Sequence, residues 1–279
     1  MENLFKCRCS AMGKITVGVS LKPLPLTDKQ EKELTELREK NSQSKKRIEL
    51  EERLVKIPEA KLSSGAKTYI RDVWYGDNFD FRKTFHNKYT EKGNVVEHRS
   101  IKALSKFLGF YAPKNEEYLE NDWTHGTPDV RLKKPSCTID TKNVFYPNGL
   151  HFFDEEKEKS DYEWQIHSYN FLDEKEDGFV ARILMNPPDN IIEKEAWNLW
   201  KEAGNDGVFD DSFLDEVRDL YDFESKKPIE ERVNLFHVKT TQYEIDVIKK
   251  SVELANEYYH ELNDSFKGRN IDALEFFKK

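Results

Sequence analysis

The chain has 279 residues, of which 35% are charged and 37% hydrophobic, and its formal net charge at pH 7 is −8. This length is enough to bury a sizeable core. The acidic balance argues against diffuse nucleic-acid binding but leaves room for a local basic groove. No apolar run approaches the roughly eighteen residues that a membrane span requires, and the segment before Ile15 lacks the hydrophobic centre of a signal peptide.

The cysteines indicate a reducing compartment. Cys7, Cys9 and Cys137 are an odd number, and no second Cys/His pair at ligand spacing completes a zinc site with Cys7 and Cys9. We therefore expect free thiols and a cytoplasmic protein, which would lie in the host cytoplasm if a phage encodes it.

Residues 28–57 are almost uninterrupted charge. Two helices joined near residues 41–44 fit this pattern. Their apolar positions are Leu34, Leu37, Ile48, Leu50 and Leu54. Because acidic and basic residues are interleaved, a solvated helical hairpin is favoured over a DNA-binding arm. We interpret the hairpin as an insertion into a single domain that covers residues 1–279.

Two more helices are predicted over residues 61–74 and 90–108. In the second, Glu97 precedes Ile101 by four positions and Leu104 by seven. This spacing places a carboxylate on the apolar face of the helix. A charge at such a position costs free energy unless it is paired or bound to a metal ion.

From residue 122 onward the pattern changes to strands. Residues 128–132 and 137–142 flank a Lys-Lys-Pro-Ser turn signal, which predicts an antiparallel hairpin. The nearly continuous apolar run 179–185 is typical of a central strand covered on both faces, and residues 232–239 form the last predicted strand.

Helices are predicted between and after these strands, over residues 161–171, 191–201 and 241–262. The acidic segment 209–223 gives no definite pattern. The order of elements indicates an α/β fold, in which a mixed central sheet is flanked by helices.

Two carboxylates and a lysine follow one another along the predicted hairpin. The hairpin can bring Asp129 and Asp140 together, and Lys142 projects to the same face of its strand as Asp140. Phosphodiester hydrolysis needs a more acidic water, charge stabilisation on the phosphate and help for the departing oxygen, and divalent ions held by carboxylates supply all three. Two or three carboxylates are enough for Mg²⁺, because it keeps several of its waters. Lys142 can orient the water or stabilise the developing charge.

Two helices can add to this cleft. Glu97 can complete the acidic site from its apolar helix face. Gln165 and Tyr169 are four positions apart, so they share one face of the predicted helix 161–171.

These residues carry a resemblance to a known family. Asp129 followed by Asp140-Thr141-Lys142 resembles the PD-(D/E)XK nuclease motif, including the proline before the first aspartate. Gln165-x-x-x-Tyr169 is similar to the QxxxY motif of the RecB-like, lambda-exonuclease-like branch. The wider similarity is to phage YqaJ-type exonucleases, and it covers most of the chain apart from residues 28–57 and 205–225.

The resemblance implies a restriction-endonuclease-like sheet and a set of site residues. The implied metal ligands are the carboxylates of Glu97, Asp129 and Asp140 and the carbonyl of Thr141. Lys142 is the implied catalytic lysine, with Gln165 and Tyr169 in the same site. Asp140 stands where many relatives have Glu, and both residues serve as ligands.

The resemblance also implies a pocket for the 5′-phosphate of a DNA end, for which Arg8 and Ser10 are the matching residues. Ser10 as a helix cap is an equally good interpretation from the residues alone.

We therefore expect a DNA exonuclease that uses Mg²⁺, with Mn²⁺ as a substitute. Its expected substrate is linear double-stranded DNA, and the resemblance favours 5′→3′ resection for phage recombination or DNA processing. A structure-selective or non-specific endonuclease is the alternative enzyme. A catalytically silent nuclease fold, acting as a DNA-binding or virion-associated protein, is the alternative without activity. Relatives also suggest a single-strand annealing protein as a partner, and a homo-oligomer.

Overall fold

The computed structural model describes residues 5–81, 87–153 and 160–268. It divides the chain into two compact units. Unit 1 consists of Met1–Arg82, Asp122–Thr124 and Thr241–Lys279, and unit 2 consists of Lys83–Asn121 and His125–Thr240. A single nuclease domain over 1–279, with residues 28–57 inserted, stays a prediction.

The bounds of the elements agree with most of the sequence-based expectations. The helices of the described residues are α1 (Met12–Thr16), α2 (Asp28–Glu39), α3 (Lys45–Val55), α4 (Ser64–Phe79), α5 (Lys88–Leu108), α6 (Ser160–Leu172), α7 (Asp189–Glu202), α8 (Asp211–Leu220), α9 (Phe223–Lys226) and α10 (Gln242–Gly268). The strands are β1 (Cys7–Arg8), β2 (Leu119–Glu120), β3 (Thr124–Gly126), β4 (Val130–Lys133), β5 (Ser136–Val144), β6 (Asp177–Leu184) and β7 (Val233–Lys239). The acidic segment without a definite pattern contains α8.

The predicted helical hairpin of unit 1 is confirmed as α2 and α3. Leu34 and Leu50 are buried against Leu26 and form its apolar seam. Ile48 and Leu54 were expected in this seam but are exposed. Ile48 is two positions from Leu50 and faces the other side of α3, while Leu54 lies in the last turn of that helix.

The rest of unit 1 packs α4 against α1 and α10. The side chain of Asn256 on α10 accepts a hydrogen bond from Phe5 N and donates one to Phe5 O, both at 2.9 Å. Trp74 Nε1 on α4 donates to Asn263 Oδ1 at 2.7 Å. These bonds satisfy polar groups that the helix packing buries.

Unit 2 contains a four-stranded mixed sheet in the order β4-β5-β6-β7. The predicted hairpin is confirmed, since β4 and β5 pair antiparallel with Val130 opposite Ile139. β5 and β6 are parallel, and β6 and β7 are antiparallel. The apolar strand β6 therefore has a neighbour on each side, as its sequence predicts.

Helices cover both faces of this sheet. Alternate residues of β5 point to opposite faces, so Cys137 and Ile139 join the core beneath α5, together with Val96 and Leu104 of that helix. The intervening residues face α6. The predicted fold class, a mixed sheet flanked by helices, is confirmed.

Among the described residues, no helix is both long and apolar enough to cross a membrane.

Candidate active site

Strand β5 presents Asp140 and Lys142 on the face that α6 covers. Asp140 is only 4% exposed, and its Oδ2 lies 2.6 Å from Lys142 Nζ. The two residues meet because side chains two apart on an extended strand project to the same face. Each charge is therefore compensated within the site, which reduces the cost of burying it.

Helix α6 brings Gln165 against this pair. The Nε2 atom of Gln165 donates to Asp140 Oδ1 at 3.0 Å and to the Tyr169 hydroxyl at 3.1 Å. The Oε1 atom of Gln165 accepts a hydrogen bond from Lys142 Nζ at 2.9 Å. Gln165 and Tyr169 share a helical face, as their spacing predicts. The structure thus brings four of the predicted residues into one hydrogen-bonded group.

Asp129 lies in the bend that precedes β4 and is held by Thr141. Oδ2 of Asp129 accepts hydrogen bonds from both the backbone N and the Oγ1 of Thr141, each at 2.6 Å. These bonds fix the carboxylate beside β5, one residue from Asp140. The contact uses the amide and hydroxyl of Thr141, so the predicted role of its carbonyl as a metal ligand stays a prediction.

Burial shapes the electrostatics of the site. Burial and the charge of Asp140 raise the pKa of Asp129 to about 7, although the bonds from Thr141 act in the opposite direction. Burial alone would lower the pKa of Lys142, but the charge and hydrogen bond of Asp140 outweigh it and raise that pKa above its ordinary value. The carboxylates of Asp129 and Asp140 thus repel each other within a site that favours added positive charge.

Glu97 is half-buried on α5, and its Oε1 lies 3.0 Å from Lys114 Nζ. The backbone next to Lys114 runs along the start of β4, because Lys114 forms a bridge with Val130 and Asn115 N donates to Asp129 O at 2.7 Å. The hydrogen bond and charge of Glu97 raise the pKa of Lys114, and the charge of Asp129 adds to this. Glu97 and Asp129 therefore act on the same ammonium group.

The donor atoms fit a divalent cation at Asp129 and Asp140. Oδ2 of Asp140 is buried, and among the described residues its polar neighbour is the Lys142 ammonium at 2.6 Å. Two mutually repelling carboxylates offer the oxygen ligands that Mg²⁺ prefers. The described residues hold no group of three or more His, Cys, Asp or Glu placed to bind a metal ion. Glu97 and Thr141 stay predicted ligands.

Two site residues were missed in the sequence. The ring of Tyr162, in the first turn of α6, lies 4.6 Å from Lys142 Nζ. Its position three residues before Gln165 is a signal that could have revealed it, because such residues share a helical face. Lys114 gave no comparable signal, since it reaches the site through an isolated bridge rather than a periodic element.

Arg8 and Ser10, the residues predicted to bind a 5′-phosphate, belong to unit 1. Both are exposed, Arg8 at the end of β1 and Ser10 in the 3₁₀ turn Cys9–Ala11 that follows. Ser10 does not act as the cap of α1, because the residue at the N-cap position is Ala11. Their role in phosphate binding stays a prediction.

Solved structures share the fold described above. A phage related exonuclease from Haemophilus somnus 129PT is 24% identical, with 95% of this chain and 99% of that chain covered and a TM-score of 0.66. An alkaline exonuclease from Laribacter hongkongensis, LHK-Exo, is 8% identical, with 97% and 94% covered and a TM-score of 0.55. LHK-Exo in complex with dAMP is 10% identical over 77% of this chain and 88% of that one, with a TM-score of 0.51.

These likenesses show the fold, and the fold expected from the motif resemblance is therefore confirmed. The sequence matches no protein-family model and no curated protein.

Proposed function

We propose that this chain is a metal-dependent nuclease that hydrolyses phosphodiester bonds of DNA. The observation that carries the proposal is the hydrogen-bonded group of Asp140, Lys142 and Gln165, with Asp129 held beside it by Thr141. The fold supports it, because solved structures that share this fold include two that are described as exonucleases.

Each residue has a separate task in this reaction. Lys142 supplies a positive charge that can stabilise the negative charge developing on the phosphate. Gln165 orients both Lys142 and Asp140, and Tyr169 accepts a hydrogen bond that fixes the amide of Gln165. A divalent cation bound by Asp129 and Asp140 would make a water molecule more acidic and neutralise charge on the phosphate.

We further propose that the enzyme is an exonuclease on linear duplex DNA, uses Mg²⁺, and resects 5′→3′ for phage recombination or DNA processing. The motif resemblance supports this mode, and the dAMP complex of LHK-Exo supports a deoxynucleotide as ligand. A homo-oligomer and a single-strand annealing partner belong to the same proposal and are testable by size-exclusion chromatography and by co-purification.

The proposal is tested by incubating the purified chain with duplex DNA in Mg²⁺ and, separately, in EDTA. Substrates are linear DNA labelled at the 5′ or the 3′ end and covalently closed circular DNA. We expect Mg²⁺-dependent digestion of linear DNA only, with early release of the 5′ label as mononucleotide. Asp140→Asn and Lys142→Ala should each lower the rate by at least about 100-fold.

Asp177→Asn is a matched control, because Asp177 is half-exposed on β6 and pairs with His237. It should retain the wild-type rate. Cleavage of closed circles would instead assign an endonuclease. Binding of DNA without cleavage by the wild-type chain in Mg²⁺ or Mn²⁺ would favour the silent DNA-binding or virion-associated protein.

A further inference from the structure

The ammonium group of Lys142 is held from three directions. Asp140 Oδ2 lies at 2.6 Å and Gln165 Oε1 at 2.9 Å, while the centre of the Tyr162 ring lies at 4.6 Å. An ammonium group carries three N–H donors, and the electron-rich face of an aromatic ring attracts a cation at this distance. Two oxygens and one ring therefore define where the lysine charge sits.

The oxygen contacts of Lys142 are shared with other tasks. Asp140 is also a predicted metal ligand, so its charge is divided between Lys142 and any bound cation. Gln165 also bonds Asp140 and Tyr169. Tyr162 is not a predicted metal ligand, and it contacts Lys142 through its ring. Its contact with Lys142 therefore does not depend on whether Asp140 also binds a cation.

A second cation supports the Tyr162 ring. Arg182 on β6 lies directly opposite Lys142 in the parallel pairing with β5, and its guanidinium carbon is 5.7 Å from the centre of the same ring. Arg182 is buried, and it donates to Gly149 O at 2.8 Å. The ring thus lies against one cation anchored to the backbone and one predicted to act on the phosphate.

One face of α6 supplies several of these contacts. Tyr162, Gln165 and Tyr169 are spaced by three and four residues, so they project from the same side of the helix. Gln165 and Tyr169 are both buried. The first turn of α6 is thereby tied to the catalytic strand through the ring of Tyr162, and the second turn through the amide of Gln165.

We propose that Tyr162 is a positioning residue, whose ring holds Lys142 Nζ in the orientation that the phosphate requires. The inference deepens the proposed nuclease function and rests on it for its kinetic part. The ring of Tyr162, rather than its hydroxyl, positions Lys142, because Lys142 Nζ lies over the ring face.

Three variants test this inference. Tyr162→Phe keeps the ring and removes the hydroxyl, and Tyr162→Leu removes the ring. Phe171→Leu is the matched control, because position 171 is on α6 about half a rotation from Tyr162. We expect Tyr162→Leu to lower kcat on linear DNA roughly 3- to 30-fold with KM unchanged, and Tyr162→Phe and Phe171→Leu to resemble the wild type.

A second measurement needs neither metal nor activity. The rate at which acetic anhydride modifies Lys142, read by mass spectrometry in EDTA, should rise in Tyr162→Leu and stay at the wild-type value in Tyr162→Phe. Circular dichroism would establish that each variant is folded. The inference would be overturned if Tyr162→Leu changed neither the modification rate of Lys142 nor kcat. It would also be overturned if Tyr162→Phe and Tyr162→Leu lowered kcat equally.

The two proposals fail separately. A wild-type chain without nuclease activity would remove the proposed function, while the modification rate of Lys142 would still decide whether the Tyr162 ring holds the lysine.

Discussion

Lys114 Nζ lies 3.0 Å from Glu97 Oε1 and is also under the charge of Asp129. Lys114 is therefore a counter-ion for two residues that the sequence predicts as metal ligands. A lysine in this place reduces the negative potential at the site, and a metal ion that binds Glu97 would compete with the lysine for that carboxylate.

The first prediction follows from this competition. Lys114→Met should tighten Mg²⁺ binding roughly two- to fivefold, as expected from the loss of one partly exposed ion pair. Isothermal titration calorimetry in the absence of DNA measures the affinity, on the Lys142→Ala background that the proposed function predicts to be inactive. Lys102→Met, which removes an exposed lysine of α5, is the control and should leave the affinity unchanged. An unchanged affinity in Lys114→Met would argue against Glu97 as a ligand.

The raised pKa of Asp129 predicts a pH-dependent effect on stability. The folded state raises this pKa from 3.8 to about 7, so it binds more protons than the unfolded state between these values. The stabilisation from this proton is complete below about pH 4 and is lost as the pH rises through 7. In EDTA, Asp129→Asn should therefore be more stable than the wild type at pH 8, with the difference disappearing towards pH 4.

Urea denaturation at pH 4, 6 and 8 measures this difference. At pH 8, added Mg²⁺ should stabilise the wild type, because a ligand of the folded state shifts the unfolding equilibrium. Asp129→Asn should gain less. A stability difference that is the same at all three pH values would contradict the assigned titration of Asp129.

Two glycines of unit 2 should respond oppositely to alanine. A Cβ at Gly178 on β6 would overlap Ile166 Cγ2 and lie 2.9 Å from both Asn170 Oδ1 and Thr138 Oγ1. Gly178→Ala should therefore cost about 1–3 kcal/mol of unfolding free energy. Gly93 lies within α5 and has nothing within 4 Å of its added Cβ, so Gly93→Ala should stabilise the fold by about 0.5–1 kcal/mol. Urea denaturation of the two variants provides the comparison.

Lys92 is fully buried on α5, where its Nζ donates to Val144 O at 2.8 Å. Burial lowers its pKa from 10.5 to about 7. Between these values the unfolded state binds more protons, so the stability of the wild type should rise with pH across this window. Lys92→Met should be stabilised relative to the wild type at pH 7, and this advantage should shrink as the pH approaches 10. A constant difference would show that Lys92 is charged in the fold.

The order of residues in the sequence predicted much of the site. Asp140 and Lys142 follow from the two-residue period of a strand, and Gln165 and Tyr169 follow from the four-residue period of a helix. Lys114 could not be found this way, because its bridge to Val130 joins residues whose proximity depends on how the chain folds back. The pairing of Glu97 with Lys114 could not be predicted either, because the helical period of α5 shows only that the carboxylate lies on the apolar face.

The fold was predictable where burial imposes a pattern. The continuous apolar run of β6 indicated a central strand, and α10 showed a clear apolar side. The amphipathic helix α8 lay within an acidic segment whose charges obscured the period. Unit 1 combines residues from both ends of the chain, as in the bonds between Phe5 and Asn256. Such distant pairings produce no local sequence pattern, so they could not be predicted.

Gln165 donates to the carboxylate of Asp140 and accepts from the ammonium of Lys142. The side-chain amide of glutamine has an NH₂ group that donates and a carbonyl oxygen that accepts. It can therefore bond a carboxylate and an ammonium at once without adding a charge of its own. Glutamate at this position would repel Asp140, and lysine would repel Lys142. A charged residue at position 165 should therefore disturb the pairing of Asp140 with Lys142 on β5, whichever sign the charge has.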